Sequence, residues 1–194
     1  MVEWYNLFVP ETKAFILKAG FEPIIGLLPK KSASAALVQC LIERWWDTTY
    51  TFHVTERELT VTPYDFYRMT DLSFEEAIIS LHGVLGIQLG LDMLGRKYST
   101  ETICYFGLVS NYMFLPQRTT EECIRMARAF VLHFLGHLFA NGGQTVSLRW
   151  LILFQDFGEA HRANWGQACL AYLYSTLDTL SKALCDSLWA LKAP

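Results

Sequence analysis

Apolar residues recur every three to four positions along most of the chain, which is the spacing of amphipathic helices. The pattern predicts helices over residues 10–19, about 34–46, 63–70, 82–95, 119–140, 147–157 and 165–184. In the second of these, Leu37, Leu41 and Trp45 form the apolar stripe. Its predicted N-cap is Ser32 or Ser34.

The one clear β pattern lies between the second and third predicted helices. Residues 50–54 and 58–61 are rich in β-branched and aromatic side chains, and residues 55–57 join the two runs. This arrangement predicts a β-hairpin over about residues 50–61. The predicted fold class is therefore mainly α, a compact helical domain with one small β-hairpin.

Two of the predicted helices begin with capping signals. Thr62-Pro63-x-Asp65 places a hydroxyl at the N-cap, proline at the first helical position and a carboxylate near the positive helix end. Thr119-x-x-Glu122 has the form of a capping box, in which the two side chains satisfy each other's backbone N–H groups. Both patterns fix where a helix starts.

Length and composition predict one well-packed domain. The chain has 194 residues, which fits a single domain over residues 1–194, and 52% of them are apolar while only 18% are charged. This composition excludes a disordered chain, which carries more charge and fewer apolar residues. An apolar excess serves either an unusually complete core or a surface that binds a partner.

The excess is greatest in the C-terminal half. Residues 129–148 and 163–177 contain no Asp, Glu, Lys or Arg. Neither run predicts a membrane span, because polar residues and glycines interrupt the first, and the second is shorter than the roughly 20 residues required. Glu3 and Asn6 also argue against a signal peptide. A dense helical core is the favoured explanation.

Charge and cysteine usage narrow the class of protein further. Sixteen basic and 19 acidic residues give a net charge of −3, which excludes a generic nucleic-acid binder. The five cysteines are odd in number and form no C-x-x-C motif. This usage favours reduced, mostly buried thiols of an intracellular protein over disulfides or a zinc site.

Two histidines have a spacing that metal sites use. His133 and His137 lie one helical turn apart, but Phe134 stands where a metalloprotease motif requires glutamate. No third ligand is evident in the sequence. Histidines of the core or of an interface are therefore favoured over a metal site.

A second set of polar residues resembles reactive sites only in part. Asp156-Phe157-Gly158 spells a kinase triplet without the other kinase motifs. Asp156, Glu159 and His161 are close in sequence, and a polar loop with one helix cap is favoured over an acid–base site. The sequence therefore predicts no catalytic residue, no cofactor and no metal.

A further set of motifs occurs in a fixed order in both halves of the chain. In the first half these are Arg44-Trp45, Thr49-x-Thr51-Phe52-His53 and Glu58-x-Thr60-x-Thr62-x-x-Asp65. In the second half they are Ala127-Arg128-Ala129-Phe130, Leu148-Arg149-x-Leu151, Asp156, and Trp165-Gly166 with Tyr174 downstream. The ordered set resembles the plant mobile domain of the MAINTENANCE OF MERISTEMS-like proteins, a domain also found in transposable elements and fused to phosphatase-like domains.

The resemblance implies a nuclear plant protein that acts in complexes linked to transposon silencing, gene expression and genome integrity. It implies protein partners, either a phosphatase-like protein or a second copy of the chain, and no membrane. It supplies no catalytic residue, and no lysine or glycine-rich loop supports the "aminotransferase-like" label of the family. Two alternatives stay open: a transposon-derived nucleic-acid-binding module, which the charge does not support, and an enzyme of unknown chemistry.

The chain departs from the family pattern in three places. Arg57 stands where the family usually has glycine, and would cost about 1 kcal/mol if that site required a positive φ. Asp71 replaces a helix-ending glycine and can still adopt a left-handed cap. The match is strongest over about residues 19–177, and the C-terminus after Lys182 is expected to be divergent or truncated.

Most of the signature residues are expected to be structural. They are Trp45, Thr51, Phe52, His53, Glu58, Thr62, Asp65, Arg128, Arg149, Asp156, Trp165, Gly166 and Tyr174. Gly166 is expected to allow close helix approach. Arg128 and Arg149 lie in charge-poor segments, where a buried arginine needs a partner, and Asp156 or Glu122 is the predicted one.

Overall fold

The computed structural model describes residues 1–26, 34–74, 81, 83, 85–139 and 143–192. Its helices are α1 (Val2–Asn6), α2 (Pro10–Lys18), α3 (Glu22–Gly26), α4 (Ala35–Glu43), α5 (Pro63–Thr70), α6 (Gly86–Leu94), α7 (Tyr105–Tyr112), α8 (Thr120–Phe139), a 3-10 helix (Leu148–Phe154), α9 (Phe157–Ala160) and α10 (Trp165–Lys192). The fold is mainly α, as predicted. Ser34 occupies the N-cap position of α4 without a side-chain cap bond, and Ser32 lies outside the described residues.

Two predicted helices have a different form in the structure. The helix expected to reach about Trp46 ends at Glu43, because Trp45 and Trp46 pair with the hairpin as a strand. The segment expected to be helical over 147–157 is a 3-10 helix followed by α9. It breaks there because the Asp156 carboxylate accepts the Gly158 N–H at 2.7 Å and caps a new helix.

The strands form two small antiparallel sheets. The first has the order β1 (Trp45–Trp46), β2 (Thr51–Val54) and β3 (Arg57–Leu59), so the predicted hairpin is confirmed and gains a third strand. In the second, β4 (Thr102–Cys104) pairs with β5 (Thr145–Ser147). The sequence did not predict this second sheet, because three-residue strands are too short to show a period of two.

Helix α8 lies at the centre of the core. Every residue from Ala129 to Gly136 is buried, so this part of α8 is enclosed on all sides. The α8 side chains pack against rings from α1, such as Trp4 on Phe130, with centroids 5.4 Å apart. Trp165 of α10 is also buried, and it stacks on Phe154. The charge-poor segments thus contribute residues 129–136 and Trp165 to the helical core, as predicted, whereas residues 145–147 form strand β5.

Backbone capping follows the sequence closely. Thr62 and Asp65 form a complete capping box at the start of α5. Asp71 ends the same helix at φ 55° in the left-handed region, as predicted for this residue. The hairpin turn places positive φ at Thr55 (57°), and Arg57 is not among the residues with positive φ, so the cost considered for Arg57 does not arise.

The cysteines are all free thiols, but they are less buried than predicted. Cys123 and Cys169 are buried, whereas Cys40, Cys104 and Cys185 are exposed. Burial in apolar surroundings raises the pKa of the Cys169 thiol to about 12. Cys169 is therefore protonated at neutral pH.

Candidate protein-interaction surface

Trp45 attaches the three-stranded sheet to α10. Its side chain is only 3% exposed, and its indole N–H donates to the Asp178 carboxylate at 2.6 Å. Its ring lies 4.9 Å from Phe52 and 5.3 Å from Tyr174, measured between centroids. Because Tyr174 and Asp178 are one turn apart on α10, a single tryptophan holds the sheet against two successive turns.

Tyr174 makes a second attachment between α10 and the hairpin. Its hydroxyl donates to the Val61 carbonyl at 2.5 Å and lies 3.1 Å from the Thr60 hydroxyl. Its ring stacks on Tyr50 with centroids 5.5 Å apart and planes at 16°. Thr60 in turn donates to the Tyr50 carbonyl at 2.7 Å. Tyr174 therefore fixes the residues that precede β2 and follow β3.

The other side of the hairpin carries polar groups and an exposed tryptophan. His53 and Glu58 face each other across the strands, with His53 Nε2 3.6 Å from Glu58 Oε1. The Thr51 hydroxyl donates to the other Glu58 oxygen at 3.5 Å. Trp46 stacks on His53 with centroids 4.4 Å apart and remains 54% exposed. Phe52 points towards Trp45, so the expected alternation of Phe52 with Thr51 and His53 is present.

The capping box at α5 follows directly after this hairpin. The Thr62 hydroxyl donates to Asp65 Oδ2 at 2.6 Å, the Thr62 N–H donates to the same oxygen at 3.0 Å, and Thr62 accepts the Asp65 N–H at 3.2 Å. The hydrogen bond from the Thr62 side chain, followed by the one from its backbone, lowers the pKa of Asp65. The carboxylate is thereby stabilised at the positive end of α5.

Apolar side chains are exposed on the three elements around this anchor. No residue of α4 is buried, although the helix is largely apolar, and Leu37 is 58% exposed. We call the exposed set the α4–hairpin–α5 surface; it comprises Leu37, Val38, Leu41, Trp46, Val54, Leu59, Tyr64, Tyr67 and Met69. Helices α4 and α5 and strand β1 all pack against α10, which joins them into one unit. Single exposed apolar residues are ordinary, but a largely apolar helix with no buried residue is not.

The signature arginines are partnered differently from the prediction. Arg149 Nε lies 3.4 Å from Glu101 Oε2, and Glu101 also accepts the Gly86 N–H at 2.8 Å at the start of α6. Arg128 donates to the carbonyls of Phe154 and Gln155 at 2.9 and 3.2 Å. The predicted partners Asp156 and Glu122 are therefore wrong.

Those two acidic residues have local tasks instead. Asp156 caps α9, and Glu122 completes the capping box of α8 by accepting the Thr119 N–H at 3.1 Å. A carboxylate committed to backbone N–H groups at a helix start is well placed there electrostatically. Glu101, which the sequence analysis missed, is the residue that pairs with a signature arginine.

Trp165 and Gly166 join α10 to the rest of the chain. The Trp165 indole N–H donates to the Ala160 carbonyl at 2.8 Å, and the Gly166 N–H donates to the Ser73 carbonyl at 2.8 Å. A Cβ on Gly166 would lie 2.7 Å from that carbonyl oxygen and would overlap the Phe74 ring. Glycine is needed at residue 166 because the backbone approaches this closely, but the neighbour is the segment Ser73–Phe74 after α5, whereas close helix approach was predicted.

His133 and His137 form a pair inside the aromatic core. His133 Nδ1 donates to the Tyr105 carbonyl at 2.8 Å, so its Nε2 accepts from His137 Nε2, 3.2 Å away. Burial is the main cause that lowers the pKa of His133 to about 4. His161 lies elsewhere, bonded to the Gly158 carbonyl. Among the described residues, no group of three or more His, Cys, Asp or Glu is placed to hold a metal ion.

Comparison with known proteins identifies the family. The plant mobile domain model matches residues 20–192, and the chain belongs to this family. The matched range includes the Trp45 anchor and the whole α4–hairpin–α5 surface, and it extends past Lys182. No solved structure gives a significant match. Within the described part of the chain, no helix has the length and apolar character to cross a membrane.

The related proteins are from Arabidopsis thaliana and are longer than this chain. Protein MAIN-LIKE 2 is 30% identical over 181 residues, which cover 89% of this chain and 27% of that protein. Protein MAIN-LIKE 1 is 31% identical over 181 residues, covering 84% and 35%. Serine/threonine-protein phosphatase 7 long form homolog is 32% identical over 156 residues, covering 76% and 12%. The chain thus spans about a third or less of the length of these relatives.

Proposed function

We propose that this chain is a non-catalytic protein-interaction module that acts in nuclear complexes linked to transposon silencing, gene expression and genome integrity. The observation that carries the proposal is the α4–hairpin–α5 surface, in which the largely apolar helix α4 has no buried residue. Apolar area that stays in water costs free energy, and covering it with a partner recovers that free energy. The proposed partner is a phosphatase-like protein or a second copy of this chain.

The residue types of the surface support this role. Trp46, Tyr64 and Tyr67 are exposed aromatic side chains, and tryptophan and tyrosine supply a large share of the binding energy at protein interfaces. An isolated helix as short as α4 is marginal in water, so its attachment to α10 is what presents it in a fixed conformation. Presentation on a packed scaffold reduces the ordering cost of binding.

The histidines support a role without catalysis. His133 is buried, and the lowering of its pKa to about 4 keeps it neutral at physiological pH. Its ring nitrogens are engaged by Tyr105 and His137, which leaves no lone pair for a substrate. A general base needs both access to substrate and a pKa near the operating pH.

The names of the relatives support the choice of partner. One relative is named as a serine/threonine-protein phosphatase homologue, and its matched region is a small part of a much longer chain. A domain of this family therefore occurs within a protein of that name. This favours a phosphatase-like partner for this chain, which is also similar to the MAIN-LIKE proteins.

The proposal is tested by comparing three forms of the protein as bait in plant nuclear extract. The surface variant carries Leu37→Glu and Leu41→Glu, and the control carries the same change at Leu7 and Phe114, which are also exposed but lie outside the surface. We expect quantitative mass spectrometry to show partners, and sedimentation to show any self-association, for wild type and control only. Equal recovery and equal mass for all three forms would contradict the proposal.

The same preparations separate the nucleic-acid alternative. A module that binds DNA or RNA through phosphates shows binding at low salt that weakens steeply as salt rises. With a net charge of −3 and an apolar interaction surface, we expect no such binding. Salt-sensitive binding that survives the surface substitutions would replace the protein-interaction proposal with the nucleic-acid one.

A further inference from the structure

An open cavity of about 740 Å³ lies between α2, α8 and the turn into α9. Its apolar wall is formed by Phe15, Ile124 and Phe157. The rings of Phe15 and Phe157 lie 5.5 Å apart at 43°. This wall is large enough to contact a flat ring or an aliphatic chain.

The polar part of the cavity is dominated by a half-buried arginine. Arg128 reaches it from α8, with Nε and Nη2 bonded to the carbonyls of Phe154 and Gln155 at 2.9 and 3.2 Å. Nη1 has no hydrogen bond within the described part of the chain, and no carboxylate there lies within ion-pair distance of Arg128. The two carbonyls fix the guanidinium in position, while its positive charge has no anionic partner among the residues that the structure describes.

Two further side chains line the cavity beside Arg128, and one of them, Lys18, adds positive charge. Lys18 lines the cavity from the last turn of α2, with Nζ 5.6 Å from the centre of the Phe15 ring. His161 also lines it, and its Nδ1 is bonded to the Gly158 carbonyl, which leaves Nε2 without a protein partner among the described residues. Among the described residues that line the cavity, the one acidic residue is Asp156, whose Oδ1 already accepts the Gly158 N–H.

We propose that this cavity binds an oxyanion carried on an aromatic or aliphatic group, such as a phosphate monoester or a carboxylate. Arg128 and Lys18 hold the anionic end, because two cations face one already bonded carboxylate. Phe15 and Phe157 contact the apolar end. A guanidinium pinned by backbone carbonyls pays little entropy when it binds, which favours it over a free lysine as the main contact.

The proposal is tested by titrating the whole chain with phenyl phosphate, benzoate and phenol while recording amide NMR spectra. Phenyl phosphate and benzoate distinguish the two anion sources, and phenol supplies the ring without the charge. We expect saturable shifts at cavity residues with a Kd of about 1 mM for at least one of the two anions, a normal affinity for a ligand this small. Phenol is expected to bind more weakly.

Three variants locate the binding. Arg128→Gln and Lys18→Gln are each expected to weaken anion binding by about tenfold, the effect of one charge-assisted hydrogen bond. Arg162→Gln removes an equally positive side chain beside the cavity, which pairs with Glu159 and does not line it. This control is expected to bind like wild type.

Lys18 is exposed and its variant keeps the test valid if Arg128→Gln fails to fold. The proposal is overturned by the absence of saturable shifts with both anions. It is also overturned if phenol binds as tightly as they do, or if Lys18→Gln and Arg162→Gln weaken binding equally. The last result would show general charge attraction instead of a built site.

Discussion

Replacing Trp45 by phenylalanine removes the hydrogen bond that joins the sheet to α10. The lost bond runs from the indole N–H to the Asp178 carboxylate at 2.6 Å, and a hydrogen bond to a charged group contributes about 1.5–3 kcal/mol. The smaller ring also leaves a void in a site where Trp45 is only 3% exposed, which adds about 1 kcal/mol. We therefore expect Trp45→Phe to lower the free energy of unfolding by about 2.5–4 kcal/mol.

The neighbouring tryptophan supplies the matched control. Trp46 is 54% exposed and its indole makes no hydrogen bond among the described residues, so Trp46→Phe should change the free energy of unfolding by less than about 0.5 kcal/mol. Urea unfolding monitored by circular dichroism measures both variants. If Trp45→Phe costs no more than Trp46→Phe, the assignment of Trp45 as the attachment between sheet and α10 is refuted.

Three other perturbations test separate parts of the fold. Burial lowers the pKa of His133 to about 4, against an ordinary 6.5, so its contribution to the free energy of unfolding is complete above about pH 6.5 and falls by about 3 kcal/mol in total as the pH drops towards 4. Urea unfolding at several pH values should show a smaller dependence of the free energy of unfolding on pH in His133→Gln than in wild type, and an equal dependence would refute this. Gly166→Ala should destabilise the fold by about 1–3 kcal/mol because its Cβ overlaps Ser73 and Phe74, whereas Gly107→Ala, whose Cβ meets nothing within 4 Å, should stabilise it by up to about 1 kcal/mol. Shifts of the melting temperature with the same sign in both variants would contradict the packing described. Thr55→Gly should stabilise the fold by about 1 kcal/mol because Thr55 has φ 57°, whereas Arg57→Gly should destabilise it by about 0.5–1 kcal/mol. If urea unfolding shows Arg57→Gly to be the more stable variant, the positive φ lies at residue 57 instead.

Local features of the fold could be predicted from the sequence because their causes are local. The Thr62–Asp65 and Thr119–Glu122 capping boxes each lie within four residues, and both are present in the structure. The left-handed cap at Asp71 is likewise a property of one residue and its helix end. The hairpin was recognised from its β-branched and aromatic runs.

Features that depend on distant partners could not be predicted. Leu37, Leu41 and Trp45 have helical spacing, but Trp45 pairs with Phe52 in a strand, and its indole N–H donates to Asp178, 133 residues away in the chain. Arg149 pairs with Glu101, 48 residues away. The only sequence signal for Asp178 was its position as the first charge after the uncharged run 163–177. Long-range pairing of this kind overrides local propensity.

The candidate surface also combines a local feature that the sequence predicts with a tertiary feature that it does not. Helical periodicity identified Leu37 and Leu41 as one apolar face, but periodicity does not say what covers that face. In the structure both side chains are exposed, while the charge-poor residues 129–136 form the buried core. The apolar excess of the chain therefore serves two purposes, a core centred on α8 and an exposed surface around the hairpin.

Site-specific photo-crosslinking tests the central claim, that the α4–hairpin–α5 surface is where a protein partner binds. A photoreactive phenylalanine analogue is placed at Tyr64, within the surface, or at Phe114, which is also strongly exposed but lies outside it. After irradiation in plant nuclear extract and with the purified chain alone, we expect a discrete crosslinked partner or dimer from position 64 and none from position 114. Crosslinks from position 114 alone, or from neither position, would contradict the claim.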